Sequence, residues 1–357
     1  PYCDFNSHVR DSVDEQAWHD ALLSELRWYH AQAAPWPVSS IFFGGGTPSL
    51  MPPFIAQRLI EEAESLFGFT QNIEITLEAN PTSTENAKLK DLRKAGVNRL
   101  STGIQSLRPE ALKFLGREHN VAEALEALEL AATIFERFSF DLIYALPEQT
   151  IPAWEKELHE ALGYAGDHLS LYQLTIEQGT QFYHHHESGK LVMPKEEVLA
   201  EFYEATQAIM QSHTMPAYEI SNHATIGGEA KHNVHIWRGR SYLGIGPGAH
   251  GRMDCADGTR YITRNLRSPE KWLAQPEHGN EAMEKLDDSA KLQEHILMGL
   301  RLREGLNLST SHWSKHYLEA LHAEGLIDFT QDKIIPTVQG RMVLNSLTQG
   351  LVMHLLE

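Results

Sequence analysis

The sequence predicts an α/β protein: a β/α barrel followed by a C-terminal, mainly helical domain with a small wing. Three observations carry that expectation. Short β-branched or aromatic runs alternate with longer amphipathic ones through the first half of the chain, a rhythm that puts parallel strands inside a layer of helices. A polar or glycine-rich group stands at or just after the end of each strand-like run, as where strand ends build one functional face. From Leu292 onward the pattern changes to helix, helix, hairpin, helix.

The expected strands are Val38–Phe43, Ile73–Glu78, Asn98–Gly103, Phe138–Ile143 and Leu169–Thr175. Between them, helical periodicity covers Pro53–Leu66, Thr84–Lys94, Val121–Phe135 and Pro152–Tyr164, with Asn120 and Glu123 spaced as a capping box at the third. A doubly wound open sheet shares this rhythm. The groups at the strand ends decide between the two: Gly44–Pro48, Glu78, Gly103 with Gln105, Asp141 and Thr175 would converge on one cavity in a barrel but stand in a row in an open sheet. The C-terminal stretch predicts helices at Gln293–Arg303 and Ser309–Glu324, a two-stranded wing at Leu326–Phe329 and Lys333–Pro336, and a closing helix at Val338–Leu347.

At 357 residues the chain exceeds one core of about 200–250 residues, and it divides into three segments. Residues 1–175 form the barrel core, residues 176–291 extend it with a less regular stretch rich in His, Gly and Tyr, and residues 292–357 form the winged-helix-like domain. The first residue is proline, not methionine, so an upstream piece is expected.

A net charge of −18, from 30 Lys and Arg against 48 Asp and Glu, argues against nucleic acid as a partner, because no basic block gathers the cations. That lack of charge also makes the winged piece a packing or lid element in place of a DNA reader. No run reaches the roughly 18 apolar residues of a membrane span, and the visible start has no signal-peptide pattern. The expected location is cytoplasmic. Cys3 and Cys255, the two cysteines, are too few for a disulfide framework. A lone cysteine reads as a reactive thiol, a small hydrophobe or a metal ligand. Of twenty histidines, the run His184 to His186 is expected in an exposed loop.

The stretch "IFFGGGTPSL" is the most informative. Three glycines after a buried strand leave the backbone bare, open to a small polar ligand that a Cβ would hold off. Dinucleotide and phosphate-loop patterns both fail here on spacing and residue type.

Together with "PYC" at the start, this stretch resembles the opening of radical S-adenosylmethionine (radical SAM) enzymes, in which a CxxxCxxC motif precedes GGGTP. The blocks "TLEANP", "RLSTGIQSL", "LGREHN", "DLIYALPEQT", "LSLYQLTIE" and "YLGIGPGAHG" resemble, in order, the HemN/HemW subfamily, which contains oxygen-independent coproporphyrinogen III dehydrogenases and heme chaperones. The resemblance spans essentially the whole chain. It implies a partial (β/α)6, TIM-like barrel whose first strand lies upstream. It makes Cys3 the third thiolate of a [4Fe–4S] cluster, with the other two cysteines before Pro1.

Carried over by position, the resemblance assigns Gly45, Gly46 and Thr47 to the methionine amino end of S-adenosylmethionine, and Tyr2 to its contact beside the cluster. Glu78, Gln105, Arg117, Asp141 and Thr175 would hold its carboxylate, ribose and neighbouring groups. The chemistry suits a zwitterion with a sulfonium and a ribose, which needs acceptors for the ammonium, a cation for the carboxylate and polar groups for hydroxyls. The alternative for Glu78 and Asp141 is a cap or surface carboxylate.

Within the subfamily, Phe5 stands where the dehydrogenases place another cysteine, which favours the chaperone branch. "KHNVHIWRG" resembles that branch's HNxxYW segment, with His232, Asn233 and Trp237 in place and Ile236 where tyrosine is expected. An imidazole on iron and an indole against the macrocycle would suit heme; the plain alternative for His232 is a hydrogen-bonded loop residue, and His235 is a spare candidate. The resemblance thus implies a carrier that binds cluster, S-adenosylmethionine and heme and passes heme to respiratory-chain heme proteins, meeting membrane proteins at their periphery. The enzyme alternatives are coproporphyrinogen III dehydrogenase and, less favoured, an anaerobic heme-opening methyltransferase.

Overall fold

The computed structural model describes residues 1–3, 12–275 and 277–356. Phe5, on which the expectation of the chaperone branch rests, lies outside the described residues.

Six strands form one sheet in sequential order: β1 (Val38–Phe43), β2 (Phe69–Ala79), β3 (Arg99–Gln105), β4 (Arg137–Tyr144), β5 (His168–Gln173) and β6 (Asn222–Ala224). The first five run parallel and β6 pairs antiparallel with β5. Helices Pro53–Phe67, Leu89–Lys94, Val121–Ile134 and Ile151–Leu162 make the crossovers. Local chemistry sets their limits. Pro53 opens the first, and Gly68 closes it at φ +70, where a Cβ would be strained. The capping box of the third is made in both directions, Glu123 N–H to Asn120 at 3.1 Å and Asn120 N–H to Glu123 at 2.8 Å.

Alternation along the strands splits the sheet into two chemically distinct faces. Ile75, Leu77, Leu100, Phe138, Phe140, Leu142, Leu169 and Leu171 pack outward under the helices. The opposite face carries Glu74, Thr76 and Glu78 on β2, Arg99, Ser101 and Gly103 on β3, Arg137, Ser139 and Asp141 on β4, and Ser170 and Tyr172 on β5. A barrel of this type is ordinarily filled by branched apolar side chains. This one has a polar lumen, with Arg99 donating to Ser139 (2.8 Å) and Ser139 to Ser101 (3.1 Å).

Several elements differ from the sequence reading. The helix expected over Thr84–Lys94 breaks into Ser83–Asn86 and Leu89–Lys94, where Glu85 turns inward and is buried. His184 to His186 lie in the short helix Gln181–Glu187, capped by the Thr180 hydroxyl, and not in a loop. β5 ends at Gln173, so Thr175 falls beyond the strand in an exposed segment, its hydroxyl donating to the Gln173 carbonyl at 3.2 Å.

Three pieces were not marked in the sequence reading: helix Glu15–Gln32, helix Glu196–Ser212 and the antiparallel sheet of β7 (His250–Asp254), β8 (Arg260–Asn265) and β9 (Asn280–Lys285). Glu25, wholly buried, ties the first helix to that sheet. Its carboxylate accepts from Gly246 N–H (2.7 Å), Gly279 N–H (2.9 Å), Asn265 Nδ2 (3.0 Å) and Trp272 Nε1 (3.1 Å). Burial raises its pKa, and these donors oppose the rise.

At the C-terminus, helices Asp288–Gly299 and Lys315–Ala323 precede a wing of β11 (Ile327–Thr330) and β12 (Lys333–Pro336), with β10 (Leu306–Asn307) as a third strand beside β12. The closing helix is interrupted, running Val338–Met342 and then Leu344–Met353. Ile296, Leu306, Trp313, Leu318, Ile334 and Leu347 form a core of their own under it.

Candidate functional site

The GGG loop follows β1 and leans on the end of β2. Gly45 sits at φ +112, a conformation that side chains avoid, and open space lies where its Cβ would stand. Its N–H donates to Glu78 Oε2 at 3.2 Å. Gly46 is exposed, and the half-buried Thr47 leads into the 3-10 turn Pro48–Leu50 without capping it by its side chain.

Glu78 and Asp141 stand close enough to share their charge. Burial, then the Asp141 carboxylate, pushes the Glu78 pKa up to about 7, with the Gly45 N–H pulling the other way. Burial pushes Asp141 up to about 6 against the Ser170 hydroxyl, Arg99 and Arg117. The pair therefore holds protons near neutrality and would ionise on meeting a cation.

Gln105 ends β3 at φ +70, a rare backbone for a residue with a side chain. Its amide nitrogen would lie 2.9 Å from a Cβ at position 103, so Gly103 is required for the amide to fold back there. The Gly103 carbonyl accepts from Arg117 Nη2 at 3.1 Å, and the same nitrogen donates to Asn80 Oδ1 at 2.6 Å. Arg117 Nε is buried without a partner among the described residues.

The N-terminal tripeptide reaches this arginine. The Pro1 carbonyl accepts from Phe182 N–H at 3.0 Å, and the Pro1 ring packs on Gly116, where a Cβ would stand 2.7 Å away. Tyr2 packs against Phe182 with ring centroids 6.3 Å apart. Burial raises its pKa, while a hydrogen bond and the charge of Arg117 oppose the rise. Cys3 follows as an exposed free thiol. Gly45, Glu78, Gln105, Arg117, Asp141, Tyr2 and Cys3 thus gather at one end of the sheet, and Thr175 is held only to its own segment.

Sequence reasoning missed the wall behind them. Glu85 accepts from the Ser49 hydroxyl, from Asn80 N–H at 2.6 Å and from the Thr82 hydroxyl at 3.3 Å. It thereby links the turn after the glycines, the end of β2 and, through Asn80, Arg117. The signal was present as Thr82 and Glu85 in capping-box spacing, with the Glu85 N–H reaching the Thr82 hydroxyl at 3.4 Å. Ser170 and Tyr172 on the same face were missed as well, although they alternate with Leu169 and Leu171 along β5.

Helix Lys231–Trp237 packs against β1. The His232 ring stacks on Phe42 at 4.4 Å and 21°, and its backbone N–H donates to Glu74 at 3.3 Å. Burial, helped by His235 and Arg99, lowers the His232 pKa to about 4, so the ring is neutral at physiological pH. Among the described residues neither of its ring nitrogens makes a hydrogen bond. His235, the spare candidate, has both nitrogens engaged, with the Ser241 carbonyl at 2.9 Å and the Ser39 hydroxyl at 3.4 Å. Asn233 donates to the Tyr218 hydroxyl at 3.0 Å, which also meets His168 at 2.9 Å, so it braces the helix. Ile236 is half-buried, and Trp237 lies under the Arg301 guanidinium, 4.5 Å from the ring centroid.

No group of three or more His, Cys, Asp or Glu side chains is placed to hold a metal ion among the described residues. No helix among them is long and apolar enough to cross a membrane.

The chain is similar to known proteins over most of its length. The profile of the radical SAM superfamily covers residues 1–161. Heme chaperone HemW of Bacillus subtilis is 32% identical over 97% of this chain and 94% of its own, and HemW of Escherichia coli is 38% identical over 76% and 72%. The mitochondrial radical S-adenosyl methionine domain-containing protein 1 of Danio rerio is 37% identical over 89% and 73%. The structure of the radical SAM enzyme coproporphyrinogen III oxidase (HemN) from Escherichia coli superposes with a TM-score of 0.79, covering 99% of this chain and 87% of that one at 21% identity. The chain belongs to the radical SAM superfamily, in its HemN/HemW subfamily.

Proposed function

We propose that this chain is a heme carrier built on a radical SAM scaffold: it binds S-adenosylmethionine at the strand ends, takes up heme at the helix Lys231–Trp237, and delivers it to respiratory-chain heme proteins. The observation that carries this reading is His232. It is a neutral imidazole with unengaged nitrogens, stacked on Phe42 beside the strand-end cavity, in the segment that resembles HNxxYW. Such a ring can ligate iron without first losing a proton. Trp237 supplies an aromatic surface on the same helix.

S-adenosylmethionine fits the strand ends. The open space over Gly45 admits its amino-acid end, and the protonatable pair Glu78 and Asp141 meets its cationic groups. Arg117, with a buried nitrogen left without a partner, can receive its carboxylate. Gln105 and Thr47 offer hydrogen bonds to the hydroxyls and backbone, and Tyr2 covers the side facing Cys3. A [4Fe–4S] cluster to which Cys3 contributes one thiolate would supply one-electron chemistry to the bound sulfonium. The residues described here hold and orient the cofactor. The cytoplasmic location belongs to the same reading, supported by two free cysteines.

Heme titration of the chain followed by absorbance tests the reading. His232→Ala is expected to weaken binding and shift the heme spectrum, and unchanged affinity would remove His232 as ligand. The rival dehydrogenase predicts conversion of coproporphyrinogen III when the reconstituted protein is incubated anaerobically with S-adenosylmethionine and reductant. The carrier reading expects none.

A further inference from the structure

A second face of helix Lys231–Trp237 opens on a cleft of about 430 Å³, within the size range of small-molecule sites. Lys231, Val234 and His235, spaced to share one side of the helix, line it, and Arg238 just past the helix end continues that side. The remainder comes from Ser39 on β1, from Tyr218 and the loop before that helix (Gly227 and Glu229), from Arg240 after it, and from the segment Leu302 to Glu304 of the C-terminal part. His232 points elsewhere, to Phe42.

The cleft is cationic in a chain of net charge −18. Lys231, Arg238, Arg240 and Arg303 face Glu229 and Glu304. Arg238 is neutralised by Glu304 through two bonds of 2.7 and 2.8 Å, and Lys231 Nζ donates to the Asn72 carbonyl. Glu229 accepts from Gly227 N–H at 3.0 Å. Arg240 and Arg303 make no ion pair among the described residues. Two exposed guanidinium groups without an ion-pair partner in one cleft suit two carboxylates or one larger anion, because a fork of N–H donors is matched best by a carboxylate. Val234 and Leu302 give the same cleft an apolar wall, so the fitting ligand has an apolar body and acidic arms.

We propose that Arg240 and Arg303 bind the two propionate carboxylates of a tetrapyrrole, making this cleft the carboxylate subsite of the carrier. The inference rests on the tetrapyrrole reading above but not on iron ligation by His232. The test therefore uses metal-free protoporphyrin IX and its dimethyl ester, titrated into the chain and followed by porphyrin absorbance and fluorescence. The unmodified chain is expected to bind the ester roughly ten-fold or more weakly than the acid, the size of a charge-assisted hydrogen bond. Arg240→Ala and Arg303→Ala should each weaken binding of the acid and leave that of the ester unchanged. Equal affinity for acid and ester in the unmodified chain would overturn the subsite whatever the variants do, while leaving the His232 heme reading standing. Failure of every tetrapyrrole to bind would remove both.

Discussion

The ring of His232 lies face to face with that of Phe42, 4.4 Å between centroids, and the edge of Phe42 reaches the glycine loop. A Cβ on Gly44 would stand 2.7 Å from Phe42 Cε1 and 3.3 Å from the Glu78 carboxylate. One aromatic residue on β1 thus separates the His232 helix from the strand-end cavity.

That shared wall predicts what removing it does. Phe42→Ala should admit water around His232 and raise its pKa from about 4 toward the ordinary value, by at least about one unit. A histidine NMR titration reads this directly. A pKa left where it was would mean that the depression arises from the helix and Arg99 alone.

Glu78 predicts a pH-dependent stability. An acid whose pKa is raised on folding favours the folded state while protonated, and that contribution is lost as pH rises from the usual carboxylate value through about 7. Glu78→Gln stays neutral throughout and keeps an acceptor for the Gly45 N–H. Its stability should match the parent near pH 4 and exceed it at pH 8 by on the order of 2–3 kcal/mol. Urea unfolding at both pH values checks this, and a pH-independent difference would refute it.

The same pair predicts proton release on ligand binding. A sulfonium and an ammonium placed against Glu78 and Asp141 lower both pKa values, so binding S-adenosylmethionine near pH 6.5 should expel up to about one proton. Calorimetry in buffers of different ionisation enthalpy measures it. Binding with no buffer dependence would place the cationic groups away from this pair.

Glu25 predicts a structural loss far from the site. Its four partners are all donors, so the amide group of Glu25→Gln would set hydrogens against hydrogens and leave buried N–H groups unpaired. A loss of about 2–4 kcal/mol is expected in chemical unfolding. Ligand affinity per folded molecule should stay the same.

The sequence by itself determined the alternation of strand and helix, the capping box at Asn120, and the strand-end groups Gly45, Glu78, Gln105 and Asp141, whereas Arg117, which follows a helix, was marked only by the resemblance. Those are local patterns: periodicity, glycine where the backbone must be bare, and polar residues that end apolar strands. Tertiary structure alone decided that Glu85 turns inward to hold Ser49 and Asn80, that Glu25 collects donors from a strand end, a helix and two loops, and that His232 meets Phe42. These contacts join residues from 5 to more than 250 positions apart, and no periodicity marks a carboxylate as the one that will be buried. The neutral state of His232 and the raised pKa values of Glu78 and Asp141 belong to the same category, since both follow from burial and neighbours that exist only once the sheet has curled around its polar lumen.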